Sequence, residues 1–248
     1  MHDLWTQSLS LRWRPELRFY EKRIEILKSF EEHGYLRAFR VQENFIDARF
    51  FGSRDSVSVQ QNGLDVFLGH PGSDVDRALA AVEISLSAVI PTQPRRFLAS
   101  FQHLTPLTMQ FEDAVSRAYG GVLGRLGTEG IEVDDWALLA DISSKEGLPG
   151  QIEFGIVRAE EVPLRLSRSA GRVQHEAAAP EDWPEPAEFA DVSLFSDLAI
   201  RRTDVGSIET LRDEVQSFWQ TARSEADRLV STLEKALVGD DRQGEVAR

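Results

Sequence analysis

The residues best suited to proton chemistry are one histidine and two carboxylates. His103 closes the run Phe97-Leu98-Ala99-Ser100-Phe101-Gln102-His103, in phase with Phe97, Ala99 and Phe101, and Glu112 and Asp113 follow within a turn of helix. An imidazole beside a carboxylate can take and return protons near neutral pH. No nucleophile accompanies the three at a recognisable spacing. A half-buried histidine at a strand end, hydrogen-bonded to backbone or carboxylate, is the simpler reading, and the catalytic reading of His103, Glu112 and Asp113 stands second to it.

Two further clusters invite chemistry and have plainer explanations. Gly69-His70-Pro71-Gly72-Ser73-Asp74-Val75-Asp76 offers an imidazole and two carboxylates, with Glu132, Asp134 and Asp135 as distant company. A loop feeding a capped helix uses the same letters, and zinc or hard-cation sites normally bring a second ligand cluster of fixed spacing, so no metal is expected. Gly120, Gly121, Gly124 and Gly127 fall in or after an apolar helix with no Gly-Lys-Ser/Thr behind them, which points to helix packing and termination rather than a phosphate loop. Hydrolase, zincin, dinucleotide and Walker signatures are missing from the chain. No cofactor is expected.

Binding candidates are basic or aromatic. Arg12, Arg14 and Arg18 run with Lys22 along a strand end and the helix after it, interleaved with Glu16, Glu21 and Glu25, and Arg95 and Arg96 open a later strand. Such residues could meet phosphate or an acidic partner, or form a solvated mixed-charge face. Trp219 sits in the terminal helix, whose length could carry it to a second subunit.

Composition narrows the function classes. The 248 residues hold 28 Lys and Arg against 41 Asp and Glu, a formal net charge of -13, so long-range repulsion opposes nucleic-acid binding unless Arg12, Arg37, Arg95 and Arg96 converge on one surface. There is no cysteine, which removes disulfides, thiolate catalysis and cysteine-ligated metals. With 42% hydrophobic and 28% charged residues the chain can bury a core. The opening Met1-His2-Asp3-Leu4-Trp5 has no basic then apolar leader, and no run approaches about 18 apolar residues; a cytoplasmic protein off the membrane is expected.

Periodicity supplies the elements. Residues 4–13 alternate apolar and polar, a strand with one buried face. Pro15 then starts a helix ended by Gly34, strands follow near 36–51, 56–60 and 64–68 with an Asn62-Gly63 hairpin turn, and Ser73 caps a helix ended by Pro91 and Pro94. The pattern restarts: strand 95–104, helix 109–126, strands 134–143, 150–157, 161–167 and 189–202, and helix 207–238. Residues 168–188, rich in Ala, Pro and Glu, break both periods and read as a long loop. The expectation is an α+β protein of tandem β-α-β-β-β-α repeats, 1–94 and 95–238, with a flexible tail at 239–248. The repeats form a curved antiparallel sheet with helices on one face and a long C-terminal helix.

The block Arg49-Phe50-Phe51-Gly52-Ser53-Arg54-Asp55-Ser56-Val57-Ser58-Val59-Gln60-Gln61-Asn62-Gly63-Leu64, a helix, and then Arg95-Arg96-Phe97-Leu98-Ala99-Ser100-Phe101 resembles part of a sporadically distributed bacterial family of unknown function. That family's Arg-Tyr-Asn-like strand is here Ala99-Ser100-Phe101-Gln102, and the resemblance implies no catalytic residues. The element order is also similar to a duplicated TATA-binding-protein-like fold, whose relatives hold partners on the concave sheet face. Together these readings favour a non-enzymatic binding or assembly protein acting through a protein partner or self-association, a homodimer included. The alternatives are a hydrolase or isomerase built on His103, or a nucleic-acid binder.

Overall fold

The computed structural model describes residues 3–50, 54–123, 137–143, 147–173, 184–203 and 210–238. Its first half runs β1 (Asp3–Trp13), α1 (Arg18–Glu32), β2 (Leu36–Val41), β3 (Phe45–Phe50), β4 (Ser56–Gln60), β5 (Gly63–Leu68) and α2 (Val75–Val89). The second runs β6 (Pro94–Pro106), α3 (Phe111–Leu123), β7 (Ala137–Ser143), β8 (Pro149–Arg158), α4 (Val162–Val173), β9 (Val192–Arg202) and α5 (Leu211–Val238). All described strands join one antiparallel sheet in the order β2-β3-β4-β5-β1-β6-β9-β8-β7. This is an α+β fold on a large open sheet.

Period-two alternation decides the faces. Leu9, Leu11 and Trp13 of β1, Leu64, Val66 and Leu68 of β5, and Phe97, Ala99 and Phe101 of β6 point to one side. There they pack with Phe19, Ile26 and Phe30 of α1, Ala81 and Val89 of α2, Val115 of α3 and Phe218 and Ala222 of α5. The rings of Phe97 and Phe218 lie 5.5 Å apart, pinning α5 to the middle of the sheet.

Four expectations are corrected here. The stretch 36–51 holds two strands, β2 and β3, joined by a hairpin in which Gln42 N–H donates to the Phe45 carbonyl. The segment 161–167 is the start of α4: Val162 and Leu166, one turn apart, are fully buried whereas Leu164 is 59% exposed, a helical pattern that mimics alternation. The expected loop at 168–188 therefore begins as helix and carries on to Val173. Finally, α4 lies on the opposite face from the other helices, where Val162 and Leu166 meet Phe67, Leu104 and Phe195.

Two helix and turn signals work differently from expectation. Asp74, not Ser73, caps α2 by accepting from Arg77 N–H at 3.0 Å, while the Ser73 hydroxyl donates to Asp55 at 2.7 Å. Neither Asn62 nor Gly63 has positive φ. Glycine is needed at 63 for room, since a Cβ there would lie 2.7 Å from the Leu11 carbonyl oxygen. Gly34, at φ +68°, does end α1 as its position predicts.

Candidate functional site

The sheet face away from α1, α2, α3 and α5 is polar beyond the apolar patch of Phe67, Leu104 and Phe195 that α4 covers. Register builds it in rows: Arg12 faces Arg96; Ser10 faces Leu98, which faces Arg201; Ser8, Ser100, Ala199, Gln151 and Asp141 form the next row across five strands. α4 roofs one end of this face. There Arg165 bonds Glu153 at 2.9 Å and Gln102 reaches both the Arg165 carbonyl and Asp197.

Beyond α4 the face opens into a groove of about 360 Å³. Its floor is made of the small side chains Ser10, Ser100 and Ala199 and the backbone of Gly150, with Leu98 between them. Gly150 offers only backbone to the groove; a Cβ there would point to the opposite face, toward Ile142 and Ile200, and would lie 2.7 Å from the Ala199 carbonyl oxygen. Arg12, Arg96 and Arg201 stand around one end; Gln151 and Asp141, joined by a hydrogen bond of 3.4 Å, stand at the other.

The three arginines differ in how they are held. Arg12 grips buried Asp65 through both guanidinium nitrogens, Nη1 at 2.8 Å and Nη2 at 3.0 Å, and donates to the Leu11 carbonyl. Ser10 and Gln60 donate to the same carboxylate at 2.6 and 2.9 Å. This bidentate, multiply bonded geometry fixes Arg12 and neutralises most of its charge. Arg96 and Arg201 are exposed and have no carboxylate partner among the described residues. Two uncompensated cations and one orienting guanidinium therefore bound a recess on a protein of net charge -13.

Of the sequence-predicted binding residues, Arg12 and Arg96 meet in this groove. Arg14, Arg18 and Arg95 are exposed outside it, and Arg37 sits on β2, four strands from β1. Trp219 is corrected: it is 1% exposed and donates its indole N–H to Gln7 at 3.3 Å, a core residue rather than a surface one. Arg201 escaped sequence reasoning because its place depends on the β6–β9 register, which no local pattern encodes.

No protein-family model matches this chain, and no curated protein matches it.

His103 is fully buried on the helix-covered face, and its Nε2 lies 3.2 Å from Asp227 Oδ1 of α5. The carboxylates expected beside it are elsewhere: Glu112 is largely exposed, 3.5 Å from Arg158, and Asp113 faces solvent. A carboxylate 124 residues away does the pairing instead, and it ties α5 to the sheet. An imidazole without exposed surface has no route to a substrate in this conformation.

The His70–Asp76 loop is organised by Asp55, which accepts from Gly69 N–H at 2.9 Å and the Ser73 hydroxyl at 2.7 Å and lies 3.9 Å from His70. Among the described residues no group of three or more His, Asp or Glu could hold a metal; Glu132, Asp134 and Asp135 lie outside them. A Cβ on Gly120 would meet nothing within 4 Å, so close packing does not explain that glycine; Gly124 and Gly127 also lie outside the described residues. No helix among the described residues is long and apolar enough to cross a membrane.

Among the described residues the outer strands of the sheet are β2 and β7. β2 is six residues long, broken by a register shift between Leu36 and Ala38, and carries Arg37 and Arg40, although Phe39 is 60% exposed. β7 is seven residues long, keeps unbroken register with β8 from Ala137 to Ser143, bears one charge, Asp141, and leaves Leu139 62% exposed.

Proposed function

We propose that this is a non-enzymatic binding or assembly protein that associates through its sheet edge, adding a strand from a protein partner or a second copy at β7. The observation that carries the reading is the contrast between the two outer strands. Bulges and charges are the means by which proteins blunt an edge against unwanted pairing, and β2 has both. β7 has a regular ladder, a single carboxylate and an exposed leucine as anchor. Backbone hydrogen bonds along the edge would give affinity, and Leu139 would give specificity.

The same proposal treats residues 1–94 and 95–238 as repeats in a cytoplasmic protein. Support comes from the centre of the sheet, where the first strand of each half, β1 and β6, pair antiparallel, and from the helix that ends each half on the covered face. This ordering is similar to a TATA-binding-protein-like saddle.

Native mass spectrometry and amide hydrogen exchange on the wild type and Leu139→Glu test the association. A wild-type oligomer with protected β7 amides, converted to monomer by a variant that melts like the wild type, is the expected result. An assembly that Leu139→Glu leaves intact would rule out β7 as the contact.

A further inference from the structure

We propose that the groove between Arg12, Arg96, Arg201 and Asp141 is a binding site for a small phosphorylated compound that also carries an amine or hydroxyl. This goes beyond the edge-strand reading; the two share β7, the groove through Asp141 and the edge through Leu139 and the strand's backbone.

Electrostatic cost gives the first argument. Like charges directly opposite on neighbouring strands destabilise a sheet, yet Arg12 and Arg96 are directly opposite and Arg201 lies on the next strand over, on the same face. The protein has 41 acidic side chains available, and among the described residues none pairs with Arg96 or Arg201. Unpaired guanidiniums converging on a recess are the donor set that the several oxygens of a phosphate accept from.

Preorganisation gives the second. Arg12 is locked by Asp65, Ser10 and Gln60, and Gly63 leaves the space through which its guanidinium reaches the Leu11 carbonyl. A cation already fixed before a ligand arrives loses little side-chain freedom on binding. Ser100, recessed in the floor beside Leu98 and Ala199, adds a hydroxyl that can donate to an anionic oxygen.

Size and polarity select the ligand. The groove's 360 Å³ lies at the small end of the roughly 300–1,000 Å³ usual for small-molecule sites. It is bounded at the far end by Asp141 and Gln151, so an extended polyanion would run into a carboxylate. A compound with phosphate at one end and an ammonium or hydroxyl at the other satisfies both ends. Asp141 then accepts from the donor while the arginines hold the phosphate.

Isothermal titration of the full chain with O-phosphoethanolamine, inorganic phosphate and a short oligothymidylate tests the assignment. The expected result is saturable one-to-one binding of O-phosphoethanolamine, tighter than inorganic phosphate. Arg96→Ala and Arg201→Ala should each weaken it at least about tenfold, the loss of one charge-assisted contact. Asp141→Asn should bring the two phosphates to similar affinity. Arg96 and Arg201 are exposed, so circular dichroism of these variants should match the wild type and none should melt earlier than it. Failure of both small phosphates to bind, unchanged affinity in the Arg96→Ala/Arg201→Ala double variant, or binding of the oligothymidylate alone would each overturn the proposal.

Discussion

Arg12 and Arg96 stand opposite one another across β1 and β6, and among the described residues only Arg12 has a carboxylate, Asp65, within bonding distance. The pair is a local conflict: cross-strand neighbours that repel, held in place by packing around them. Conflicts of this kind concentrate where a protein recognises something, because stability is exchanged for function there.

Arg96→Gln should therefore raise stability. Removing one member of a like-charged cross-strand pair is worth about 0.2–1 kcal/mol, and the lower end applies because Asp65 already neutralises much of Arg12. The gain should be largest at low salt and shrink as ionic strength rises, since exposed charges are screened over about 10 Å at 0.1 M. Thermal melts of both proteins across a salt series measure this directly; a variant that melts earlier at low salt would show that Arg96 has a stabilising role in the fold.

Gly63→Ala should be costly for a different reason. A Cβ at 63 would sit 2.7 Å from the Leu11 carbonyl oxygen and 2.8 Å from Arg12 Nη1, and the carbonyl belongs to the central strand of the sheet. The backbone cannot yield cheaply, so a loss of about 1–3 kcal/mol is expected, the usual range for overpacking. Arg12→Ala is itself destabilising because it leaves buried Asp65 without its guanidinium. In that background Gly63→Ala should cost less than in the wild type, since the clash with the carbonyl remains and the one with the guanidinium is gone. Urea unfolding of the single and double variants reads this out. A loss below about 0.5 kcal/mol, the scale of a neutral surface change, would mean that the strands separate enough to accept the methyl.

The outcome at Gly63 bears on what the sequence could reveal. Asn62-Gly63 announced a hairpin and one is there, but through a close approach rather than a left-handed turn residue. β1, α1, α2 and β6 were legible because each carries a clean period and a stop signal. α4 was not: Val162, Leu164 and Leu166 alternate as in a strand, and only tertiary burial of Val162 and Leu166 against Phe67 and Phe195 distinguishes helix from strand. The hairpin between β2 and β3 lacks a glycine or proline to mark it. Half of the groove was visible in the basic letters at 12 and 96. Its third arginine and its acidic end, Arg201 and Asp141, depend on which strands become neighbours, information held in long-range pairing.

The same limit explains Asp227, and it leads to a quantitative test. His103 has no exposed surface, and its Nε2 meets Asp227 Oδ1 at 3.2 Å across the junction of β6 and α5. If this contact fixes the helix on the sheet, His103 and Asp227 must be energetically coupled, and residues in one hydrogen-bonded pair show coupling of about 0.5–3 kcal/mol. The Asp227 side chain is 47% exposed, so solvent competes for it and a value near about 1 kcal/mol is expected. Asp227→Ala should lose more than Asp227→Asn, because asparagine retains an oxygen that can accept from Nε2. In a His103→Leu background the two Asp227 variants should become nearly equivalent. Denaturant unfolding of the six combinations completes the two cycles. Additive losses would make the contact incidental to α5 docking, leaving the Phe97–Phe218 packing and the Trp219–Gln7 bond to hold the helix.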